Sequence, residues 1–367
     1  MNILVAESST TVGGQEYAVL LHAERLLKRG HHLRLILEPG SPIHQMAVQR
    51  RLPVDPIGMG RWRYPLAIDR FRRLLRRERP AILHVNSSRD SWIGSLAARL
   101  VQPRPKVIRT RHISAPLNNS AATQLLYRRL LDMVIVTGGE RTRRDLIERD
   151  GMAPDRVAAF PIGLDVEHFS PAKPERDLRL ELGLPQGHHL VGLISYLRDY
   201  KGHYYFIEAA AQVLKQREDV TFLIVGEGPE EPVIRAQVAR LGLNREVLLL
   251  GFREDLLNVF RSLDIFAIPT IEGDTIPQVL MQALAVCLPV VSTTTGSIPD
   301  VLRDQESGFI VPPRNADALA ARIADLLNDP ALRVRMGKQG RATVVESYSI
   351  DRMVDELERV YERIAGS

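Results

Sequence analysis

Leu190-Val191-Gly192-Leu193-Ile194-Ser195-Tyr196-Leu197-Arg198-Asp199-Tyr200-Lys201-Gly202 is an apolar run of strand length, then a short polar loop with two cations, then the opening of a helix at Gly202. The run is continuous rather than alternating, which marks a strand buried on both faces, as in parallel sheets covered by helices. Arg198 and Lys201 fall at the C-terminal edge of that strand, beside a helix N-terminus. Two cations and a helix start in one place suit a diphosphate. They could neutralise charge growing on a departing nucleotide diphosphate, work otherwise given to a metal. The competing interpretation is a solvated loop.

The same unit recurs on both sides. Upstream, Ile3–Ala6, Leu33–Leu37, Ala81–Val85, Lys106–Thr110 and Met133–Thr137 are buried-strand runs. Leu190–Ser195, Val220–Val225, Val247–Leu250, Ile265–Ile268 and Val290–Ser292 repeat them downstream. Amphipathic stretches lie between: Val19, Leu20, Ala23, Leu26 and Leu27 recur at helical spacing and end at Gly30. Strand–helix alternation over 367 residues, too many for one ordinary core, predicts an α/β chain of two open parallel sheets. Phe169-Ser170-Pro171-Ala172-Lys173-Pro174-Glu175, with two prolines and a charged run behind it, is the expected divider. It gives an N-terminal domain over 1–168 and a C-terminal domain over 169–345, with a last helix at about 346–365 returning to the first. Ligands of such sheets bind beyond the C-terminal strand ends, and two sheets facing one another would make a cleft with two such edges.

Composition narrows the class. Hydrophobic residues at 45% and charged residues at 25% describe a globular protein. The single cysteine, Cys287, has no internal disulfide partner, which fits a reducing compartment. No stretch reaches the roughly 18 consecutive apolar residues of a membrane span. Met1-Asn2-Ile3-Leu4-Val5 runs straight into a strand, so no signal peptide is expected and the cytoplasm is the expected location. The net charge of +5 is uneven. Residues 1–165 hold 27 Lys and Arg against 15 Asp and Glu, a net of +12; the remainder holds 22 against 29, a net of −7. Either this is drift in an arginine-rich composition, or the first half faces an anionic partner such as a membrane surface or a phosphorylated glycan. Nucleic acid has no supporting motif. Arg61-Trp62-Arg63-Tyr64 and Arg70-Phe71-Arg72-Arg73-Leu74-Leu75-Arg76-Arg77-Glu78-Arg79 bear on this choice. Ile68, Phe71, Leu74 and Leu75 form a narrow apolar stripe among arginines: an ordinary surface helix, or one whose basic face also lies on anionic headgroups at the inner face of the membrane.

Further motifs sit at strand ends. Gly13 and Gly14 follow the first strand and precede a helix, where the backbone can approach a ligand; the Gly-x-Gly-x-x-Gly dinucleotide pattern is absent. Arg109-Thr110-Arg111-His112 closes another strand, and a His there either contacts a substrate hydroxyl or caps a loop. Gly226 in Val225-Gly226-Glu227-Gly228-Pro229 and Arg253 in Gly251-Phe252-Arg253-Glu254-Asp255 follow two more strands. In Glu272-Gly273-Asp274-Thr275-Ile276-Pro277-Gln278-Val279-Leu280-Met281-Gln282, Asp274 and Gln282 are eight apart and flank the start of a helix. Their side chains suit sugar and ribose hydroxyls, and the segment Thr275, Ile276, Pro277 and Val279 between them, where backbone N–H groups other than that of Pro277 could hold phosphate, is expected at the donor too. No Asp-x-Asp and no His/Cys cluster with ligand spacing is present, so no metal and no cofactor are expected.

In this order the motifs resemble glycosyltransferase family 4, the retaining group with the GT-B fold of two Rossmann-like domains. The resemblance runs from Gly13-Gly14 through Pro161-Ile162-Gly163-Leu164-Asp165, Lys201-Gly202, Val225-Gly226-Glu227-Gly228-Pro229 and Pro289-Val290-Val291 to Gly308-Phe309-Ile310-Val311-Pro312-Pro313. It implies a nucleotide-sugar bound mainly by the C-terminal domain and an acceptor, a glycan or a lipid-linked sugar of cell-envelope biosynthesis, bound mainly by the N-terminal one. By position, Gly14 would approach the donor phosphate, His112 and Asp274 would contact the donor sugar, Lys201 would bind the diphosphate and Gln282 the ribose. This sequence departs from the family pattern in three places. The usual Glu-x7-Glu pair is Asp274 and Gln282, Tyr196 replaces a common phosphate-binding Arg with Arg198 two residues on, and Ser297 replaces a usual Gly. Retaining sugar transfer is the leading interpretation, with a decayed glycan-binding or assembly protein and a nucleotide-sugar epimerase of the same fold as alternatives.

Overall fold

A computed structural model of the chain describes residues 1–11, 13–112, 117–118, 120–272 and 276–366, with the backbone alone for Arg61. It contains two compact units. The first is Met1–Gly163 with Ile350–Ser367, the second Leu164–Ser349.

The first unit carries strands β1 (Asn2–Glu7), β2 (His32–Leu37), β3 (Val54–Pro56), β4 (Ile82–Val85), β5 (Lys106–Arg111), β6 (Met133–Val136) and β7 (Val157–Ala159). They form one parallel sheet in the order β3-β2-β1-β4-β5-β6-β7. Alternate residues feed opposite faces. Leu4, Ala6, Leu83 and Val85 face Phe71, Leu74 and Leu75 of the helix Tyr64–Glu78. Ile3, Val5, Ile82 and Ile108 face Val19 and Leu20 of the helix Gly14–Lys28, together with Val354, Leu357 and Tyr361 of the last helix, Ile350–Ala365. The end of the chain thus completes the core laid down by its beginning. An electrostatic edge supports the same packing: Arg29 donates to Asp355 and Glu358 at 2.6 Å each, and His31 meets Glu358 at 2.7 Å.

The second unit carries β8 (His189–Ile194), β9 (Val220–Val225), β10 (Val247–Gly251), β11 (Ile265–Ile268), β12 (Val290–Thr293) and β13 (Gly308–Val311). Its parallel sheet has the order β10-β9-β8-β11-β12-β13. All ten apolar runs singled out in the sequence are strands. β3, β7 and β13 are additional edge strands of three or four residues.

The chain divides at Gly163/Leu164, five residues before the expected boundary. The Pro-containing segment is not a free linker: Phe169 packs on the second core, its carbonyl accepts from Arg341 at 3.1 Å, and the Ser170 carbonyl accepts from Arg261 at 2.9 Å. Within the second unit, Leu164 N–H donates to the Tyr348 carbonyl at 2.9 Å, pairing the segment where the chain enters with the one where it leaves. Within the first, Gly163 lies so close to Ile350 that a Cβ would sit 2.6 Å from the Ile350 Cα. No helix among the described residues is long and apolar enough to cross a membrane.

Gly163→Ala should therefore destabilise the chain by ~1–3 kcal/mol, since it forces backbone apart in a packed place. Thermal or denaturant unfolding reads this directly; an unchanged midpoint would show that the Gly163–Ile350 contact yields freely.

Candidate functional site

In the second unit, the loops after β8, β9 and β11 are clamped together at the C-terminal edge. Ser195 N–H donates to the Val225 carbonyl at 3.0 Å, Leu197 N–H to Glu227 at 2.9 Å and Ile271 N–H to Tyr200 at 2.8 Å. Two glycines make the approach geometrically feasible. A Cβ on Gly202, at φ +77°, would lie 1.9 Å from the Pro269 carbonyl oxygen, and one on Gly226, at φ +133°, would lie 1.9 Å from that of Ser195.

Lys201 ends the single 3₁₀ turn Asp199–Lys201, with its Nζ 5.1 Å from the Tyr200 ring centroid. The Arg198 guanidinium lies 5.4 Å from the Tyr196 ring centroid. Lys201, Pro277 and Val279 line one small cavity of about 20 Å³ with Ser195, Ile268 and Thr270. Ile276 is buried just ahead of the helix Gln278–Ala285, which carries Gln282. The Gln282 Oε1 is enclosed and has no hydrogen-bond partner, an acceptor without a donor. Gly226, Arg198, Lys201, Ile276, Pro277, Val279 and Gln282 thus belong to neighbouring loops and one helix of this unit. Asp274 and Thr275 lie outside the described residues.

Arg253, also expected at the donor, is held by two carboxylates. Its guanidinium is committed to Glu181, at 2.5 and 3.3 Å, and to Asp255, at 2.7 Å twice. Those hydrogen bonds, to Asp255 first and then Glu181, raise it above the usual arginine range. Such a bidentate clamp ties the loop after β10 to the helix Leu178–Glu181 and leaves little for a donor.

Sequence reasoning missed His203, the residue after Gly202. It is buried, its Nε2 meets the Ser195 Oγ at 3.0 Å, and burial depresses it to about 4 despite a hydrogen bond with the Arg198 backbone, Lys201 adding to the depression. It fixes the cationic loop from beneath. Only its place directly after the lysine–glycine pair could have signalled it.

In the first unit, Gly13 and Gly14 open the helix Gly14–Lys28, and the Gly13 N–H donates to Glu16 Oε2 at 2.8 Å. The loop before them is held by the buried Glu7, which accepts from Ser9 N–H, Gln15 Nε2 and Ser87 Oγ. Asp90, also buried, accepts from Ser8 Oγ and from the Asn86 and Ser87 N–H groups. Burial first, and then the neighbouring Glu7, push the Asp90 carboxyl up to about 7.

His112 follows β5. Both ring nitrogens are enclosed and neither has a hydrogen-bond partner. Burial, and after it the charge of Arg109, depress the ring to about 4, so it is neutral at physiological pH. Below it on the same face, His84 meets Tyr361 OH and Thr110 Oγ1 at 2.6 Å each, and burial depresses His84 to about 3. His112 can therefore offer a hydrogen bond but not a positive charge. No group of three or more His, Cys, Asp or Glu arranged to hold a metal occurs among the described residues. A larger cavity of about 490 Å³, lined by Leu182, Val238 and Leu248 beside β10, contains none of the predicted site residues.

Comparison with known proteins follows the two units. Residues 12–168 match the family model described as Glycosyltransferase Family 4, and residues 175–343 the one described as Glycosyl transferases group 1. The chain is 25% identical over 301 residues to the UDP-Gal:alpha-D-GlcNAc-diphosphoundecaprenol alpha-1,3-galactosyltransferase of Escherichia coli, covering 79% of this chain and 77% of that one. It is 29% identical over 369 residues to the phosphatidyl-myo-inositol mannosyltransferase of Mycobacterium leprae, covering 97% and 94%. Among solved structures, Anabaena HepE in complex with UDP matches with a TM-score of 0.86 at 20% identity over 99% of this chain and 100% of that chain, a likeness of fold. The architecture is GT-B.

The buried rings set a pH dependence. His22, His84, His112 and His203 refuse protons in the folded chain that the unfolded chain binds below about pH 6.5, while Asp90 and Glu7, raised by burial, hold protons that the unfolded chain releases more readily. Four rings outweigh two carboxyls by about two protons, so these groups make stability fall by up to ~3 kcal/mol per pH unit as pH drops through about 5. Denaturant titrations between about pH 7.5 and 4.5 should show this fall, and His203→Gln should reduce the slope; a flat profile would mean that the rings take up protons while folded.

Proposed function

The chain belongs to glycosyltransferase family 4, and from that membership we propose that it is a retaining, metal-independent transferase using a nucleotide-diphosphate sugar. The donor sits on the second unit. The observation that carries this reading is the cavity that Lys201 shares with Pro277 and Val279, at the start of the helix that carries Gln282 and its unpartnered acceptor atom. Lys201 and Arg198 stabilise the diphosphate as charge grows on it. Gln282 Oε1 accepts from a ribose hydroxyl, and neutral His112 and Asp274 contact the donor sugar. The bond from the sugar C1 to the diphosphate oxygen breaks and a bond from C1 to the acceptor oxygen forms on the same face. The acceptor's proton passes to the departing diphosphate oxygen, so no covalent enzyme intermediate is required.

The acceptor is a phosphate-bearing, lipid-linked molecule of envelope biosynthesis. The relatives named above support this class, since one is named for a diphosphoundecaprenol-linked sugar and another for a phosphatidylinositol. The first unit fits a peripheral place on an anionic membrane from the cytoplasmic side. The helix Tyr64–Glu78 spends Ala67, Phe71, Leu74 and Leu75 on its own core. Outside that core, Trp62 is 95% exposed and Arg63, Arg70, Arg73, Arg76, Arg77 and Arg79 are exposed as well. Arg70, Arg76 and Arg79 make no ion pair among the described residues. Each basic residue near an anionic surface contributes about 1 kcal/mol, enough together for reversible attachment.

Lys201→Ala should lower turnover at saturating donor by about 10²–10³ while leaving the unfolding midpoint unchanged, with wild-type turnover persisting in EDTA. Near wild-type turnover of the variant would remove Lys201 from the diphosphate, and loss in EDTA restored by a divalent ion would remove the metal-free step. Co-sedimentation with liposomes should rise with anionic lipid and fall in high salt. Binding that is indifferent to both, or absent at low salt, would remove the membrane surface from this reading.

A further inference from the structure

Each open sheet ends in two edge strands, whose outward N–H and C=O groups invite pairing with another chain unless they are guarded. Among the described residues, three of the four edges are guarded. β3 is three residues long and ends in Pro56. On β7, also three residues long, Arg143 Nε donates to the Val157 carbonyl at 2.9 Å. On β13, the Ile310 N–H donates to Asp304 Oδ1 at 2.8 Å, and the Gly308 carbonyl accepts from the Gln305 N–H at 2.7 Å. The fourth edge, β10, is Val247-Leu248-Leu249-Leu250-Gly251, without a proline or a charge. Its three leucines are only half-buried.

The open side of β10 is shaped to take a strand. The Glu246 carbonyl turns to β9, accepting from the Phe222 N–H at 2.7 Å. Direction alternates along a strand, so Leu249, three residues on, turns its N–H and carbonyl to the open side. The cavity of about 490 Å³ is lined by Val247–Leu250, Leu182 and Val238. Leu182 and Leu248 pack on the core of one sheet face, Val238 and Leu249 on that of the other, so the cavity straddles the strand's open edge. Phe252, just past the strand, is 65% exposed, and Leu180, two residues before Leu182, is 78% exposed.

We propose that β10 is a dimerisation edge, which pairs antiparallel with β10 of a second copy of this chain. A closed dimer has a two-fold axis, and two edge strands related by it run antiparallel. Centred on Leu249, the pairing exchanges two N–H···O=C bonds between the two Leu249 residues. Arg245, four residues before Leu249, then falls against the segment Arg253–Asp255 of the other copy. Arg245 is exposed and makes no ion pair among the described residues. The opposing segment is acidic: Arg253, Glu254 and Asp255, with Glu181 held by Arg253 at 2.5 Å, set one positive group among three negative ones. The match is made twice, once on each side of the axis. It survives the register shift between Leu249 and Gly251, which moves Arg245 from Arg253 towards Glu254. The bare edge and its cavity would accept many strands. The second copy is the occupant that brings a positive charge at the required spacing.

The test is sedimentation equilibrium of the full chain over about 1–200 μM, a range that reaches weak interfaces. The mean mass should rise from monomer towards dimer with concentration. Arg245→Glu should raise the dissociation constant by about tenfold or more, because two attractive pairings become repulsive. Adding Glu254→Arg to it should recover most of that loss. Leu249→Lys, which puts a charge on the strand itself, should abolish the dimer. Unfolding midpoints of Arg245→Glu and of the double variant, taken at about 1 μM where association adds little, should match the unaltered chain, so that a lost dimer is not a lost fold. A chain that stays monomeric throughout overturns the proposal, even where an unrelated extended peptide fills the cavity. A dimer that all three variants leave unchanged overturns β10 as its interface. A dimer broken by Leu249→Lys but indifferent to both charge changes overturns the antiparallel register.

Discussion

Every strand in both sheets runs parallel, and that single constraint places everything else. A parallel strand must be re-entered from the same end, so each returns through a helix, and all C-terminal ends collect along one edge of each sheet. The loops leaving those ends need no long excursions to meet. Gly202 against Pro269 and Gly226 against Ser195 are the contacts where they do meet, and both depend on the absence of a side chain. The strands' apolar interiors are thus a scaffold whose polar consequences appear only at the rim.

At the rim, burial does as much as charge. His84, His112 and His203 are all kept neutral by removal from water, with neighbouring positive groups a smaller influence. Neutral rings can hold loops and hydroxyls without repelling the cations Arg109, Arg198 and Lys201 beside them. Where a cation at the rim is instead held by two carboxylates, as Arg253 is by Glu181 and Asp255, it becomes a strut.

Much of this was legible in the sequence, because burial on both faces writes itself as an unbroken apolar run. The interior strands were legible on that ground, whereas β3 and β7, three residues each at sheet edges, leave no such trace. Lys201, Gln282 and His112 stand out in the sequence by their place after a strand or on a helix, and their roles remain a proposal. Arg253 occupied an equally suggestive place, and nothing local shows that Glu181, 72 residues away, has claimed it. The chain's division was also hidden: two prolines suggested a linker, but Phe169 and Val166 are parts of the second core. Partnerships between distant segments are tertiary facts, and the hydrogen bonds of His84 to Tyr361, 277 residues on, could not have been read from either neighbourhood.

The last helix gives the protein an order of assembly. Synthesis proceeds from the N-terminus, and domains fold as units once complete. Leu164–Ser349 is one uninterrupted stretch and is complete while the final residues are still unmade. The first unit, although begun earlier, lacks Val354, Leu357 and Tyr361 until after the second is complete. Until then, Ile3, Val5 and Ile82 have an uncovered flank and His84 has Thr110 but lacks the Tyr361 hydroxyl. The half of the chain that is made first is therefore finished last, and a ribosome-bound or C-terminally clipped chain would present a formed second unit joined to a sticky, unfinished first one.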